Sequence, residues 1–320
     1  MKTRYILQIL ILGAVLLALA LPVYADDLNN SVAAFMRMGV GSRIIAMGEA
    51  GSTVSNDIVS GYWNPSGLTY LKDIEVGTMY NFSMGYDRRH TYAAVGKNFG
   101  FGALAFSWIN AGVGDIDGYD EDGDPTGTFS DEEHSFALSY ARNFDRFSIG
   151  LSPKFYYSSI AGESDTGFGV DLGAHYDVNQ YLEVGLMGRD LYGKYGPETV
   201  PYEISAGLAV FPILGVTLAA DLKLEKTENP YVCFGAEYWT SIGRDREAGS
   251  QLDDIAISEQ GTWSDILSEF ETGLRLGYNQ GRLSAGTGVK FRNFQLDYVF
   301  RFNDHDIFAD DHIISLILRF

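Results

Sequence analysis

The residue types that carry out covalent or metal chemistry are few in this sequence and poorly grouped. Cys233 is the only cysteine. A lone thiol makes neither an intrachain disulfide nor a cysteine-based zinc site. The five histidines, His90, His134, His175, His305 and His312, lie far apart. Even the stretch from Asn303 to His312, with Asp304, His305, Asp306, Asp310 and Asp311, has no spacing that specifies a metal. The densest acidic run, 115–124 (DIDGYDEDGD), puts Asp120, Asp122 and Asp124 at the first, third and fifth places of a calcium-loop register. Its sixth place, which needs glycine, is Pro125, and its twelfth is Asp131 instead of glutamate. A solvated loop is therefore expected there. His312 has no serine that it could activate. No catalytic residue, cofactor or metal site is expected, and the chain reads as non-enzymatic.

What stands out instead is a motif without chemistry, Gly61 to Leu68 (GYWNPSGL). The proline fixes its own φ, lacks a backbone N–H, and pushes Asn64 out of the helical region. The residues Trp63, Asn64, Pro65, Ser66, Gly67 and Leu68 thus describe a turn placed ahead of the first clear strand.

The elements that must position this turn follow from the rest of the chain. Lys2 and Arg4 precede an apolar stretch from Tyr5 through Leu21, and Val23-Tyr24-Ala25 ends it just before Asp26. Residues 1–25 therefore read as a secretory signal peptide with a small-residue cleavage site. The 320-residue chain has a net charge of −19, and loss of the two leader cations makes the remainder more acidic still. Such a surface excludes nucleic acid as a partner, since phosphates demand a basic footprint. The chain combines 37 glycines, 20 tyrosines and 20 phenylalanines. Beyond residue 25 it contains no apolar run long enough for a membrane-spanning helix.

Alternation takes the place of such runs. Phe294, Leu296, Tyr298, Phe300 and Phe302 interleave with Gln295, Asp297, Val299 and Arg301. The same period of two runs through Val216–Glu225 and Phe168–Tyr176. One face is apolar and aromatic; the other carries glycine and charges of both signs. A soluble sandwich would bury the apolar face between two sheets. A membrane barrel turns it to lipid and the polar face to the lumen, and the leader and strand lengths favour the barrel. Mixed charge on the lumen face, from Asp171, Glu183, Arg189, Asp221, Lys223, Glu237, Arg275, Lys290, Asp297 and Arg301, argues against a strongly ion-selective pore.

The expectation is thus an all-β fold, a transmembrane antiparallel β-barrel of about 14 strands. The strands are expected at 74–85, 89–98, 101–110, 133–143, 146–157, 167–178, 180–189, 201–211, 214–225, 230–241, 271–280, 281–291, 293–302 and 311–320. Tight connections follow even-numbered strands, as periplasmic turns do, and longer excursions at 111–132, 158–166, 190–200 and 303–310 follow odd ones. Residues 242–270 break the rule and read as an acidic periplasmic insertion, with an extra hairpin as the alternative. In the last strand Ile314, Leu316, Leu318 and Phe320 share the apolar face with His312. Ending on a terminal phenylalanine is what chains handed to the barrel assembly machinery look like, and Phe320 also closes the barrel seam.

Two regions resemble a known family. The run 35–50 (FMRMGVGSRIIAMGEA) and 62–68 (YWNPSGL) resemble the start of PorV/PorQ proteins, which belong to the FadL-like outer-membrane barrels. The segments 274–278 (LRLGY), 283–286 (LSAG), 296–298 (LDY) and 312–316 (HIISL) are similar to their end. The resemblance implies fourteen strands and an N-terminal plug or hatch, residues 26–72, folded into the lumen of a barrel spanning 73–320. The alternative is a periplasmic arm packed under the barrel. In the wider group the hatch motif is Asn-Pro-Ala, and Ser66 departs from it. The resemblance further implies protein secretion across the outer membrane of a Gram-negative-type bacterium by a type IX-like route, with secreted proteins or other secretion components as partners. The alternative is FadL-like transport of a hydrophobic small-molecule ligand. Outer-membrane lipid is a partner on either reading.

Overall fold

The computed structural model describes residues 32–82, 85, 87–226, 229–241, 269–303 and 310–320. The expected signal peptide, residues 26–31, His305 and the 242–268 part of the expected insertion lie outside the described residues.

Period-two segments become strands because lipid offers no partner to backbone N–H and C=O groups, so every one must be paired within a closed sheet. The strands are β1 (Ile74–Asn81), β2 (Arg88–Asn98), β3 (Ala103–Tyr119), β4 (Pro125–Phe144), β5 (Phe147–Ile160), β6 (Glu163–Asn179), β7 (Leu182–Tyr195), β8 (Glu198–Thr199), β9 (Glu203–Val210), β10 (Val216–Glu225), β11 (Tyr231–Ser241), β12 (Phe270–Asn279), β13 (Arg282–Phe291), β14 (Phe294–Arg301) and β15 (Asp311–Arg319). All pairings are antiparallel between chain neighbours, except that β9 pairs β7 past the two-residue β8, and β1 pairs β15. With β8 set aside, fourteen strands close on themselves.

The alternation survives folding in the expected sense. On β14, Gln295, Asp297, Val299 and Arg301 are buried inward, while Phe294 and Leu296 are exposed. Along β6, Gly169, Asp171, Gly173 and His175 face inward and Phe168, Leu172 and Tyr176 outward. Exposed Phe106, Leu138, Leu151, Leu172, Leu186, Leu276 and Leu296 belong to an outer apolar surface of the kind that meets lipid.

At the seam, Val76 lies opposite Leu318 and Tyr80 opposite Ile314, with Thr78 opposite Leu316. The Phe320 amide donates to the Ile74 carbonyl. The last residue thus completes the ladder, and its side chain stays exposed on the outer face.

Three expected excursions require correction. Residues 111–132 are largely strand: β3 and β4 continue outward as one long hairpin whose turn lies at Asp120–Asp124. Residues 158–166 are the ends of β5 and β6 around a two-residue turn, and 190–200 contains the end of β7 and β8. Chains that leave the barrel still pair edge to edge, because pairing satisfies backbone groups more cheaply than an open loop. Charged and glycine-rich composition masked this continuation. Asp120 in the acidic run accepts the amides of Asp122 and Asp124 at 3.0 and 2.9 Å, so that carboxylate shapes the turn.

Candidate functional site: the occupied lumen

A fourteen-strand barrel is too wide for its own side chains to fill. Here the chain ahead of β1 occupies the space. It forms one-turn helices at Ala34–Arg37, Ser42–Ala46, Ser60–Trp63 and Pro65–Tyr70, and nearly every residue from Phe35 to Leu68 is buried. These helices are too short to be stable alone, so tertiary contact must hold them.

Those contacts run around the whole wall. The Ser42 amide donates to Ser315 Oγ of β15 at 2.8 Å. The Ser52 amide donates to Asp221 of β10 at 2.8 Å. The Ile58 carbonyl accepts from Tyr92 of β2 at 3.2 Å, and the Ala174 carbonyl of β6 accepts from Asn64 at 3.1 Å. These contacts tie the described residues between Ser42 and Asn64 to strands on opposite sides of the barrel.

The turn motif explains itself at this point. Asn64 Oδ1 accepts from the Ser66 amide at 3.2 Å and from Ser66 Oγ at 2.7 Å. Its Nδ2 donates to the Ser52 carbonyl at 2.6 Å and to the wall at Ala174. Asn64 caps the helix that Pro65 begins, and all four of its capabilities are used. The serine that departs from the Asn-Pro-Ala pattern supplies one of these bonds. Gly67 passes so close to the Ser55 carbonyl that a Cβ there would collide with it, and Leu68 is fully buried.

Charged side chains fasten the segment. Arg43 grips Glu237 of β11 with two bonds of 2.8 Å, Nε to Oε2 and Nη2 to Oε1. Glu237 also accepts from Arg275 at 2.7 Å, and Arg275 reaches Asp297 at 2.8 Å. Burial works against the charge on Arg43, but the surrounding carboxylates, Glu237 foremost with Asp57 and Asp297, outweigh it and raise its pKa above the ordinary arginine value. Glu49 receives Arg301 at 3.0 Å and Asn279 at 2.8 Å. Of the inward residues expected to mix both signs, Asp171, Arg189, Lys223, Glu237, Arg275, Asp297 and Arg301 make ion pairs with other inward groups or with the segment, whereas Lys290 lies over the Trp239 ring. Lys154, Asp190, Arg37, Arg43, Glu49 and Glu203, which belong to the same networks, were not singled out by their sequence positions. Lys154 and Glu203 carried a signal only as charges at inward places of period-two runs, whereas Arg37, Arg43 and Glu49 lie in the segment ahead of β1 and carried none.

Trp63 sits between the two chemistries. Its Nε1 donates to the Val40 carbonyl at 2.7 Å, its ring stands edge-on to Tyr62, and Lys223 lies 5.3 Å from the ring centre. Gly51 packs against both Trp63 and Ile44. The surroundings of Trp63 are therefore mixed, neither a purely polar lumen nor an apolar groove.

The two mouths differ. At the mouth bearing the long hairpins, buried Phe35, Met36, Tyr156, Tyr195 and Val200 belong to the apolar core, with the Tyr156 ring near Tyr195, its hydroxyl on Asp190 and Lys154 over its face. Phe35 meets the Tyr156 ring edge-on at 6.4 Å. At the mouth bearing the short turns lies a cavity of about 270 Å³ lined by Arg43, Asp57, Tyr70, Trp239, Lys290 and Arg319 among others. The first end carries more buried aromatic side chains, edged by the Lys154 and Asp190 charges; the second is lined mainly by polar groups.

Comparison with solved structures returns transport barrels. The chain is similar to the Ralstonia pickettii toluene transporter TbuX, with a TM-score of 0.59 and 12% identity over 88% of this chain and 98% of that one. It is similar to the P. putida toluene transporter TodX, with a TM-score of 0.57 and 11% identity over 88% and 99%. A Pseudomonas aeruginosa FadL homologue aligns with a TM-score of 0.50 and 8% identity over 84% and 95%. At such identities the likeness establishes the fold. No protein-family model and no curated protein matches the sequence. These neighbours lend nothing to the PorV/PorQ resemblance or to a secretion role.

Proposed function

We propose that this chain is a non-enzymatic barrel of a Gram-negative-type outer membrane that passes small hydrophobic molecules, with the N-terminal segment as its internal gate. The observation that carries this reading is the apolar group at the long-hairpin mouth. A water-filled lumen is ordinarily polar. In this one, Phe35 and Met36 belong to the same buried apolar core as Tyr156, Tyr195 and Val200, and Phe35 meets the Tyr156 ring, a seat edged by Asp190 on the Tyr156 hydroxyl. A hydrophobic solute can replace those two side chains without exposing the seat to water, since apolar surface is exchanged for apolar surface. Helices held by tertiary contacts alone suit a segment that shifts.

The barrels of similar fold that carry toluene and other monoaromatic hydrocarbons support the same solute class. On this reading outer-membrane lipid surrounds the barrel, and its final strand, Ile314 to Phe320, is what the barrel assembly machinery receives.

The test is equilibrium binding of toluene and of a long-chain fatty acid to the barrel in lipid nanodiscs, followed by native mass spectrometry. One bound molecule per barrel is expected, and Tyr156→Asp should weaken binding by replacing the ring that Phe35 meets with a second carboxylate beside Asp190. Occupancy no greater than that of an unrelated barrel of similar size would rule the reading out.

A further inference from the structure

Among the described residues most inward carboxylates have a basic partner, and buried Asp221, which has none at ion-pair distance, accepts the Ser52 amide instead. Glu237, Glu203, Glu49, Asp171, Asp297 and Asp311 each have a lysine or arginine within ion-pair distance. Asp177 and Glu183, at the short-turn mouth where β6 passes to β7, differ from these six. The only basic side chain within ion-pair distance of either, among the described residues, is His175. Two carboxylates there converge on a histidine whose side chain is 2% exposed.

The donor atoms lie close together. His175 Nε2 is 3.0 Å from Asp177 Oδ1 and 3.5 Å from Glu183 Oε2. Tyr70 Oη, from the last residue of the lumen segment's final turn, lies 2.9 Å from both His175 Nε2 and Asp177 Oδ1. One ligand atom from each of His175, Asp177 and Glu183 fits within a span of 4.8 Å. Four-coordinate zinc, with bonds of about 2.0–2.1 Å, holds its ligand atoms roughly 3.3 Å apart. The observed spacings bracket that value. A neutral imidazole with two carboxylates also offers the nitrogen and oxygen donors that first-row divalent ions take, and its two negative charges match the ion's two positive ones. Asp177 and Glu183 are 39% and 25% exposed, so the donors can be reached from the short-turn mouth.

We propose that His175, Asp177 and Glu183 form a binding site for a divalent first-row metal ion of the zinc class, with Tyr70 beside it. The three ligands stand on two adjacent strands of the wall, whereas Tyr70 belongs to the segment inside. A bound ion would therefore hold the end of that segment against β6 and β7. The site stands on its own geometry and does not depend on which solute the barrel passes.

The experiment uses tag-free full-length barrel in mild detergent, stripped with chelator and titrated calorimetrically with Zn2+. Co2+ absorption serves as a second readout of nitrogen and oxygen coordination. One ion per chain is expected, and His175→Ala and Asp177→Asn should each weaken binding by at least about 10-fold, the order seen when a metal's supporting groups are lost. His134→Ala, which removes a histidine of β4, should leave binding unchanged. Heat-modifiable gel migration reports that each variant is folded. Asp177→Asn alters a half-exposed group and keeps the test informative if His175→Ala fails to fold. Zn2+ uptake no greater than that of protein-free micelles would overturn the proposal. So would equal affinity in the wild type and the folded variants.

Discussion

At the scale of single residues, Asn64 and Arg43 decide whether the lumen segment keeps its place. Asn64 joins three stretches of chain, so Asn64→Ala strands the Ser52 and Ala174 carbonyls and should cost about 1–3 kcal/mol, the range for leaving buried polar groups unpaired. Ser66→Ala removes a single hydroxyl contact and should cost under about 1 kcal/mol. Thermal unfolding in detergent ranks the two, and equal shifts would contradict the roles assigned here. Arg43→Met leaves Glu237 with Arg275 alone, so its cost should sit near the lower end for a broken buried pair, about 3 kcal/mol. Protease cleavage within residues 33–71 should rise in that variant. Unchanged cleavage would show that the Arg43–Glu237 pair does not fasten the segment.

At the scale of elements, glycine makes the contact between segment and wall. A Cβ on Gly77 or Gly96 would crowd Ile58, one on Gly150 would strike Pro65, and one on Gly173 would strike Asn64. On the other side, Gly235 abuts Met47 and Gly277 abuts Gly48. Bare backbone thus lines the barrel at these closest approaches of the segment. Gly277→Ala should destabilise the folded barrel by about 1–3 kcal/mol, the usual cost of overpacking, whereas Gly114→Ala, with no heavy atom closer than 4.0 Å to its Cβ, should be tolerated. Urea titration of both variants checks this, and equal midpoints would refute the close fit. All fourteen barrel strands were legible in the sequence because lipid outside and water inside impose a strict period of two, as on Phe294–Arg301. The continuation of β3 through Tyr119 was not legible, since beyond the membrane neither face needs to be apolar. The inward glycines were visible as a type, but their use depends on a segment far away in sequence.

At the scale of the whole molecule, fourteen strands close into a barrel with an apolar outer surface, and the described residues ahead of β1 bond to its inward side chains. The turn at Trp63 to Leu68 was legible as a turn, and the family resemblance implied its place inside. The networks that hold it there were not, because Arg43 and Glu237 are separated by 194 residues and meet only when the barrel closes. The fold is shared with toluene transporters at only 11–12% identity, so function must be read by measurement. The most direct one is uptake of a radiolabelled monoaromatic hydrocarbon at limiting concentration, in outer-membrane-intact cells that lack their own hydrophobic-compound channels. Cells carrying the wild-type barrel should take it up faster than cells with empty vector, and Tyr156→Asp should abolish the gain although the barrel is present and folded. Uptake at the empty-vector rate with folded wild-type barrel in the membrane would contradict the account.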